Sequence, residues 1–261
     1  MLVCWSVKGG SGTSVVAASL GVLFARTRPT LLVDLDGDLP GVLGSVPEPT
    51  GPGVHEWLAS PTADAAALHR LTVPVNPTLH LLPAGAAAAA TRAVISAGGA
   101  PLAAAGRVGP VGHVGRVGPV GPVGHVGPVG QVGQVGPVGR AAPEAWQRLA
   151  AVLHRIDLDV VVDAGLGAPP AALLPGSTSL LVTRACYLSL RRAAHAGTVP
   201  DGVVFVREPG RSLGRRDIEH AVKAPVVAEV EWDPAIARSV DAGLLAGRLP
   251  ASLGHGLRRA A

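Results

Sequence analysis

Residues 7–14 read Val-Lys-Gly-Gly-Ser-Gly-Thr-Ser, directly after the apolar run Leu-Val-Cys-Trp-Ser at 2–6 and before a stretch of small and apolar residues. That order predicts a strand, a tight glycine turn and a helix. Gly9, Gly10 and Gly12 allow the backbone to turn with its N–H groups aimed at an anion, and the helix that follows adds the positive end of its dipole. A phosphate-binding loop of the Walker A type reads G-x-x-x-x-G-K-[ST]. Here Ser14 supplies the hydroxyl position, but Thr13 stands where the lysine belongs, and a different lysine, Lys8, opens the loop. Ser11 completes the candidate cradle.

Composition sets the frame for that loop. With 261 residues, 48% of them hydrophobic, the chain is long enough to bury a full core, and one α/β domain over 1–261 is expected. Apolar stretches are interrupted by Gly, Pro or charge well short of the ~20 residues that a membrane-spanning helix needs. The opening MLVCWSVKGG has neither a basic lead-in nor a cleavage site, so a cytoplasmic protein is expected. Cys4 and Cys186, the only cysteines, each fall in apolar surroundings and read as reduced, buried thiols. The net charge of +4 is carried by arginine: Lys8 and Lys223 are the only lysines among 22 basic residues. A lysine retained inside the glycine loop suits a compact ammonium beside a phosphate.

Outward from the loop, apolar β-branched runs alternate with helical segments. Strands are predicted at 2–7, 30–35, 79–82, 158–163, 178–183, 202–206 and 225–230. Helices are predicted at 13–27, 53–59, 63–70, 84–96, 143–156, 186–196, 213–222 and 234–245. Several strands are apolar throughout, which marks strands covered on both faces. The pattern predicts a doubly wound, mainly parallel sheet flanked by helices, with ligands at the carboxyl ends of the strands.

One segment departs from this alternation. From Gly106 to Gly139 every third residue is Gly and every following Gly is preceded by Val. Period three raises a collagen-like trimer, but the third position is always Val and the run is short. No Pro-Gly pair occurs to make elastin-like turns. The segment reads as a low-complexity insert at 106–139, with His113 and His125 as solvated repeat residues rather than metal ligands.

Two carboxylate motifs follow the loop in order. LLVDLDGD at 31–38 ends a buried strand in Asp34, Asp36 and Asp38, which alternation could place on one face. DVVVDAGLG at 159–167 leads four apolar positions into Asp163, with Gly167 four residues on, the D-x-x-x-G spacing of a Walker B strand. A solvated aspartate turn is the plainer reading of the first motif.

The loop K8-G-G-S-G-T13-S14 resembles that of the MinD/ParA group of deviant Walker A P-loop ATPases, K-G-G-x-G-K-[ST], at every position except the second lysine. The V-D-x-D and D-x-x-x-G motifs are similar to that group's switch I and Walker B patterns. The resemblance extends through HLLPAG at 80–85, SLLVTRACYLSLRRA at 179–193 and APVVAEVEWDPAIARSVDAGLL at 224–245. As a whole-chain pattern it looks like actinobacterial members related to the CpaE/TadZ localisation factors of pilus systems. It implies bound ATP and Mg²⁺, with Lys8 reaching the phosphates, often across a dimer interface, and Asp36 orienting the attacking water. By the same resemblance Ser14, Asp34 and Asp163 surround Mg²⁺, and the Gly167 amide faces the γ-phosphate. A nucleotide-dependent homodimer that positions a partner in partitioning or pilus assembly follows as the expectation.

Three departures qualify that likeness. Thr13 removes a charge from the phosphates, which implies weak hydrolysis or a non-hydrolysing scaffold acting through protein contacts. Arg207-Glu208-Pro209 stands where the group carries an asparagine near the base. The tail 247–261 is broken by Pro250, Gly254 and Gly256 and does not read as a membrane anchor. Arginines at 184, 191, 192, 207, 211, 215 and 216 would permit non-specific DNA binding, but no aromatic interleaving accompanies them and solvated helix faces are the favoured reading. Trp5, Trp57, Trp146 and Trp232 read as core or interface anchors rather than stacking platforms.

Overall fold

The structure is a computed structural model that describes residues 1–44, 50–86, 88 and 141–260. The Gly-x-Val insert, and residues 87 and 89–96 of the helix predicted at 84–96, lie outside the described residues. Strands β1 (Leu2–Ser6), β2 (Thr30–Asp34), β3 (Val73–Asn76), β4 (Leu79–Leu82), β5 (Asp159–Leu166), β6 (Thr178–Arg184), β7 (Gly202–Arg207) and β8 (Val226–Glu231) form one sheet. Its order is β3-β4-β2-β5-β1-β6-β7-β8. Every pairing is parallel except β3 with β4. This is the doubly wound α/β architecture that the alternation predicts.

Alternation within each strand explains the layers. Val3 and Trp5, Leu31 and Val33, Val160 and Val162, and Val203 and Phe205 enter one core. Cys4, Leu32, Val161 and Val204, one residue out of step, enter the other. Both faces are apolar because both are covered. The first core is closed by α3 (Val54–Ala59), α4 (Ala65–Arg70), α5 (Pro143–Arg155), α6 (Tyr187–Ala194) and α7 (Arg215–Val222). The second is closed by α1 (Thr13–Phe24), α2 (Leu39–Leu43), α8 (Pro234–Asp241) and α9 (Ala251–Leu257). Helix α1 is apolar nearly all round and largely buried, as a helix wedged between sheet and outer helices must be.

The differences from the sequence reading have local causes. β3 is a four-residue edge strand containing Pro74, a residue confined to edges because it cannot donate to the ladder. Helix α2 begins Leu39-Pro40, where a proline in the first turn is tolerated. The tail, which reads as broken, forms α9, with Leu253 and Leu257 buried. Its Gly256 lies against the Glu229 carbonyl, 3.2 Å from the Val230 α-carbon at a would-be Cβ, so glycine permits the helix to reach β8 rather than breaking it. Helix α8 stops at Asp241, short of the predicted 245. Among the described residues no helix is long and apolar enough to cross a membrane.

Candidate nucleotide site

β1 is flanked by β5 on one side and β6 on the other, so the chain reverses its direction of winding at β1, the place where such sheets open a crevice at their carboxyl ends. The glycine loop leaves β1 at that point. Gly10 and Gly12 adopt φ of 74° and 90°, conformations that a residue with a Cβ resists, and no atom lies within 4 Å of where a Cβ would stand on Gly9, Gly10 or Gly12. The cradle is therefore open to an approaching group. Ser11 closes it from below by donating its hydroxyl to the Lys8 carbonyl at 2.6 Å. Gly12 is the N-cap of α1, and no side chain caps that end of the helix, which leaves first-turn amides for an anion. Thr13 is buried and Ser14 half-buried as the first residues of α1. The Lys8 ammonium lies 3.4 Å from the Gly9 carbonyl.

The carboxylates gather beside the loop. Asp34 and Asp163 are register partners on β2 and β5, and Asp163 is also the partner of Cys4 on β1. Both are fully buried. Burial, together with the mutual repulsion of Asp34 and its neighbours, raises both acids: Asp34 is pushed up to about 7 and Asp163 well above the usual carboxylate range. The Ser14 hydroxyl and the Gly165 amide pull Asp163 partly back. Asp163 Oδ1 accepts from the Gly165 amide at 3.0 Å, whereas its buried Oδ2 has no hydrogen-bond partner. An oxygen left so in a buried site costs free energy unless a further group completes it.

Asp34 sits differently from the expectation of a place in the Mg²⁺ shell. Its Oδ1 accepts from the amides of Asp36 (3.2 Å) and Gly37 (2.6 Å), and its Oδ2 from that of Leu39 (3.2 Å). With both oxygens so engaged, it clamps the turn that carries Asp36, which makes it a buried version of the aspartate turn. Asp36 is half-buried and its side chain covers Gly165. The His55 ring contacts the Leu35 carbonyl at 3.0 Å, a second hold on the same turn that no motif around His55 signals.

The second motif also runs further than predicted. β5 continues past Asp163 to Leu166, through a register shift at Ser6 that Gly165, at φ 65°, makes possible. The Gly167 amide donates to the Ser6 carbonyl at 2.8 Å. That bond occupies the amide expected at the γ-phosphate, which would have to exchange it to reach a phosphate.

Outside the site, the expectation of a buried thiol is corrected for Cys186. Cys4 is buried and its thiol is pushed up by desolvation and by Asp163. Cys186, by contrast, is only half-buried: partial burial raises its thiol, but the Ser189 hydroxyl at 3.0 Å, the Ser189 amide, Lys8 and Arg211 bring it below the usual value. Trp5, Trp57 and Trp146 are core residues, while Trp232 is 46% exposed. Arg184, Arg207, Arg211 and Arg215 are ion-paired with glutamates, in keeping with ordinary solvated faces.

No family model matches the sequence, and no curated protein matches it. Solved structures do. A ParA family ATPase from Chlorobium tepidum TLS superposes with a TM-score of 0.64 at 16% identity, over 98% of this chain and 94% of that one. The septum site-determining protein MinD with Mg-ADP from Pyrococcus horikoshii OT3 gives 0.61 at 19% identity, over 98% and 91%. A cobyrinic acid a,c-diamide synthase from Mycobacterium smegmatis with bound ADP and magnesium gives 0.52 at 18%, over 94% of each chain. Such identities speak for the fold and leave function to the site. The chain has the P-loop NTPase fold of the ParA and MinD ATPases, with its glycine loop and carboxylates at the carboxyl ends of the central strands.

Proposed function

We propose that this chain binds ATP with Mg²⁺ at the glycine loop, dimerises in that state and uses it to position a protein partner, with slow hydrolysis. The observation that carries this reading is the buried, unpartnered Oδ2 of Asp163, next to the half-buried Ser14 at the start of α1. Among the described residues there is no cluster of three or more His, Cys, Asp or Glu fit to hold a metal alone. A magnesium site built from one carboxylate, one hydroxyl and the ligand's own phosphates is the arrangement that such a shortage suits. Ser14 and Asp163 would hold the ion, which when bound supplies positive charge against the phosphate oxygens.

The remaining roles belong to the chain. The amides of residues 9–14 cradle the phosphates, with Lys8 as a mobile counter-charge. Asp36, held by the Asp34 clamp, orients water for attack. Partitioning or pilus localisation, carried over from the resemblance of the sequence, names the process in which such a switch would serve.

Thr13 favours a second reading, a scaffold that keeps the fold and binds nucleotide without turning it over. Titration of the purified chain with a fluorescent ATP analogue tests the shared premise. Binding that needs Mg²⁺ and is lost in Asp163→Asn is expected; no binding at millimolar nucleotide would reject the proposal.

A further inference from the structure

A cavity of about 620 Å³ opens at the end of the sheet opposite the glycine loop. Leu31 of β2 lines it together with Pro29 and Leu158, which lie just ahead of β2 and β5, so it sits at the amino ends of these strands. Helix α4 forms one side through Ala66 and Leu68, and α5 the other through Val152. Nearer the start of α5, Arg148 ties that helix to the turn before α4, donating to the Ser60 and Pro61 carbonyls at 2.6 and 3.0 Å. The space between the two helices beyond that tie is the cavity. Its size and largely apolar walls are those of a small-molecule site.

The polar groups on its walls are left open. His80 is the register partner of Leu31, and it shares with Leu82 the face of β4 that enters the first core. It is half-buried, and among the described residues its ring makes no hydrogen bond. Arg155 and Asp157 stand exposed on the rim, paired neither with each other nor with any other described residue. Helix α5 ends between them, at Ile156, without a capping hydrogen bond among the described residues, so its last-turn carbonyls remain acceptors. The other imidazole, His69, is exposed on α4.

We infer that this cavity binds a free α-amino acid whose large apolar side chain ends in a polar tip, of the tryptophan or tyrosine type. Its carboxylate meets the Arg155 guanidinium. Its ammonium meets Asp157 and the last-turn carbonyls of α5, where the negative end of the helix favours a cation. The side chain lies against Leu31, Leu68 and Val152, with its N–H or O–H at the His80 ring. Two opposite charges left open beside an apolar cavity match a molecule that carries both charges on one carbon, whereas a simple acid or amine answers only one of them. The cavity is separate from the glycine loop, so this inference stands or falls independently of the nucleotide reading.

Calorimetry on the full chain tests it with L-tryptophan, with tryptamine, which lacks the carboxylate, and with indole-3-propionate, which lacks the ammonium. L-tryptophan should bind with a Kd of about a millimolar or tighter. The other two should each bind about tenfold or more weaker, the scale of one lost charge-assisted hydrogen bond. Arg155→Gln should weaken L-tryptophan by a similar factor and leave tryptamine unmoved. Asp157→Asn should weaken L-tryptophan without weakening indole-3-propionate. His80→Leu should bring L-tryptophan down to the affinity of L-phenylalanine. Ala66→Phe, a change at an exposed position that fills the mouth, should abolish binding of all three while the melting temperature stays that of the wild type. Absence of L-tryptophan binding at about ten millimolar, equal affinity for the three indoles, or binding that survives Ala66→Phe in a folded protein would each overturn the inference.

Discussion

The carboxylate of Asp36 lies over the α-carbon of Gly165: a Cβ placed there would come within 2.6 Å of Asp36 Oδ1 and nearer still to its Cγ. Two motifs far apart in sequence therefore meet with nothing between them. The position of the residue proposed to orient water is set by the absence of a side chain on β5.

Gly165→Ala follows directly. The new methyl must push Asp36 aside, and φ of 65° at this position adds the strain of a left-handed residue, in all about 1–3 kcal/mol of stability. The phosphate contacts proposed above come from the loop and are untouched. Nucleotide affinity should stay within a few-fold of wild type, while single-turnover hydrolysis falls by roughly tenfold or more, a rise of about 1.4 kcal/mol in the barrier. Hydrolysis unchanged in a folded Gly165→Ala protein would remove Asp36 from the mechanism.

The meeting of Asp36 with Gly165 also marks the limit of what sequence can say. Lys8, the three loop glycines, Ser14 and the aspartates are legible because phosphate and metal chemistry needs those groups at short fixed spacings, and apolar runs such as Leu31–Val33 are legible because a twice-covered strand has no polar face. Gly165 and Gly167 look equivalent in D-A-G-L-G, and only the register shift against Ser6 decides that the first carries the turn under Asp36. Asp34 and Asp36 look equivalent in V-D-L-D, yet tertiary placement gives one to backbone amides and the other to the crevice. Trp232 is an indole like the others, and its exposure depends on which neighbours β8 ends beside.

The buried acids predict a pH dependence. Asp34 rises to about 7 and Asp163 moves in the same direction, so between the ordinary carboxylate value of about 4 and about 7 the folded protein holds more protons than the unfolded chain. Stability must then fall as pH rises through that window. In metal-free buffer the melting temperature should drop on the order of 5 °C from pH 5 to pH 8, and Asp163→Asn should flatten the slope. Mg²⁺ with nucleotide should restore the loss, since positive charge favours the ionised pair. A melting temperature that climbs over this range would contradict the assignment. Asp233 and Glu219, whose values are lowered, act in the opposite sense and only at lower pH.

Every residue assigned to the site lies outside 106–139. Deleting that segment should leave affinity for a fluorescent ATP analogue within about twofold, because loop-closure entropy changes by only about 0.6 kcal/mol per doubling of length. Light scattering should give the same oligomeric state before and after the deletion. A trimer that dissociates on deletion would instead make the Gly-x-Val run the working part of the molecule.

Thr13 decides between a slow ATPase and a scaffold. It is the first residue of α1, buried, at the positive end of the helix. A lysine there meets like charge from the helix dipole, which costs about 0.3–1 kcal/mol while no anion is bound. Bound phosphates reverse the sign of that interaction. Thr13→Lys should thus melt slightly below wild type alone and above it with ATP and Mg²⁺, as followed by calorimetry. Turnover should rise by roughly tenfold or more, the scale expected of one added positive charge that stabilises the transition state, and adding Asp36→Ala should return it to background. If Thr13→Lys binds ATP more tightly and turns it over no faster, nothing in the crevice directs water, and the chain works as a nucleotide-bound scaffold.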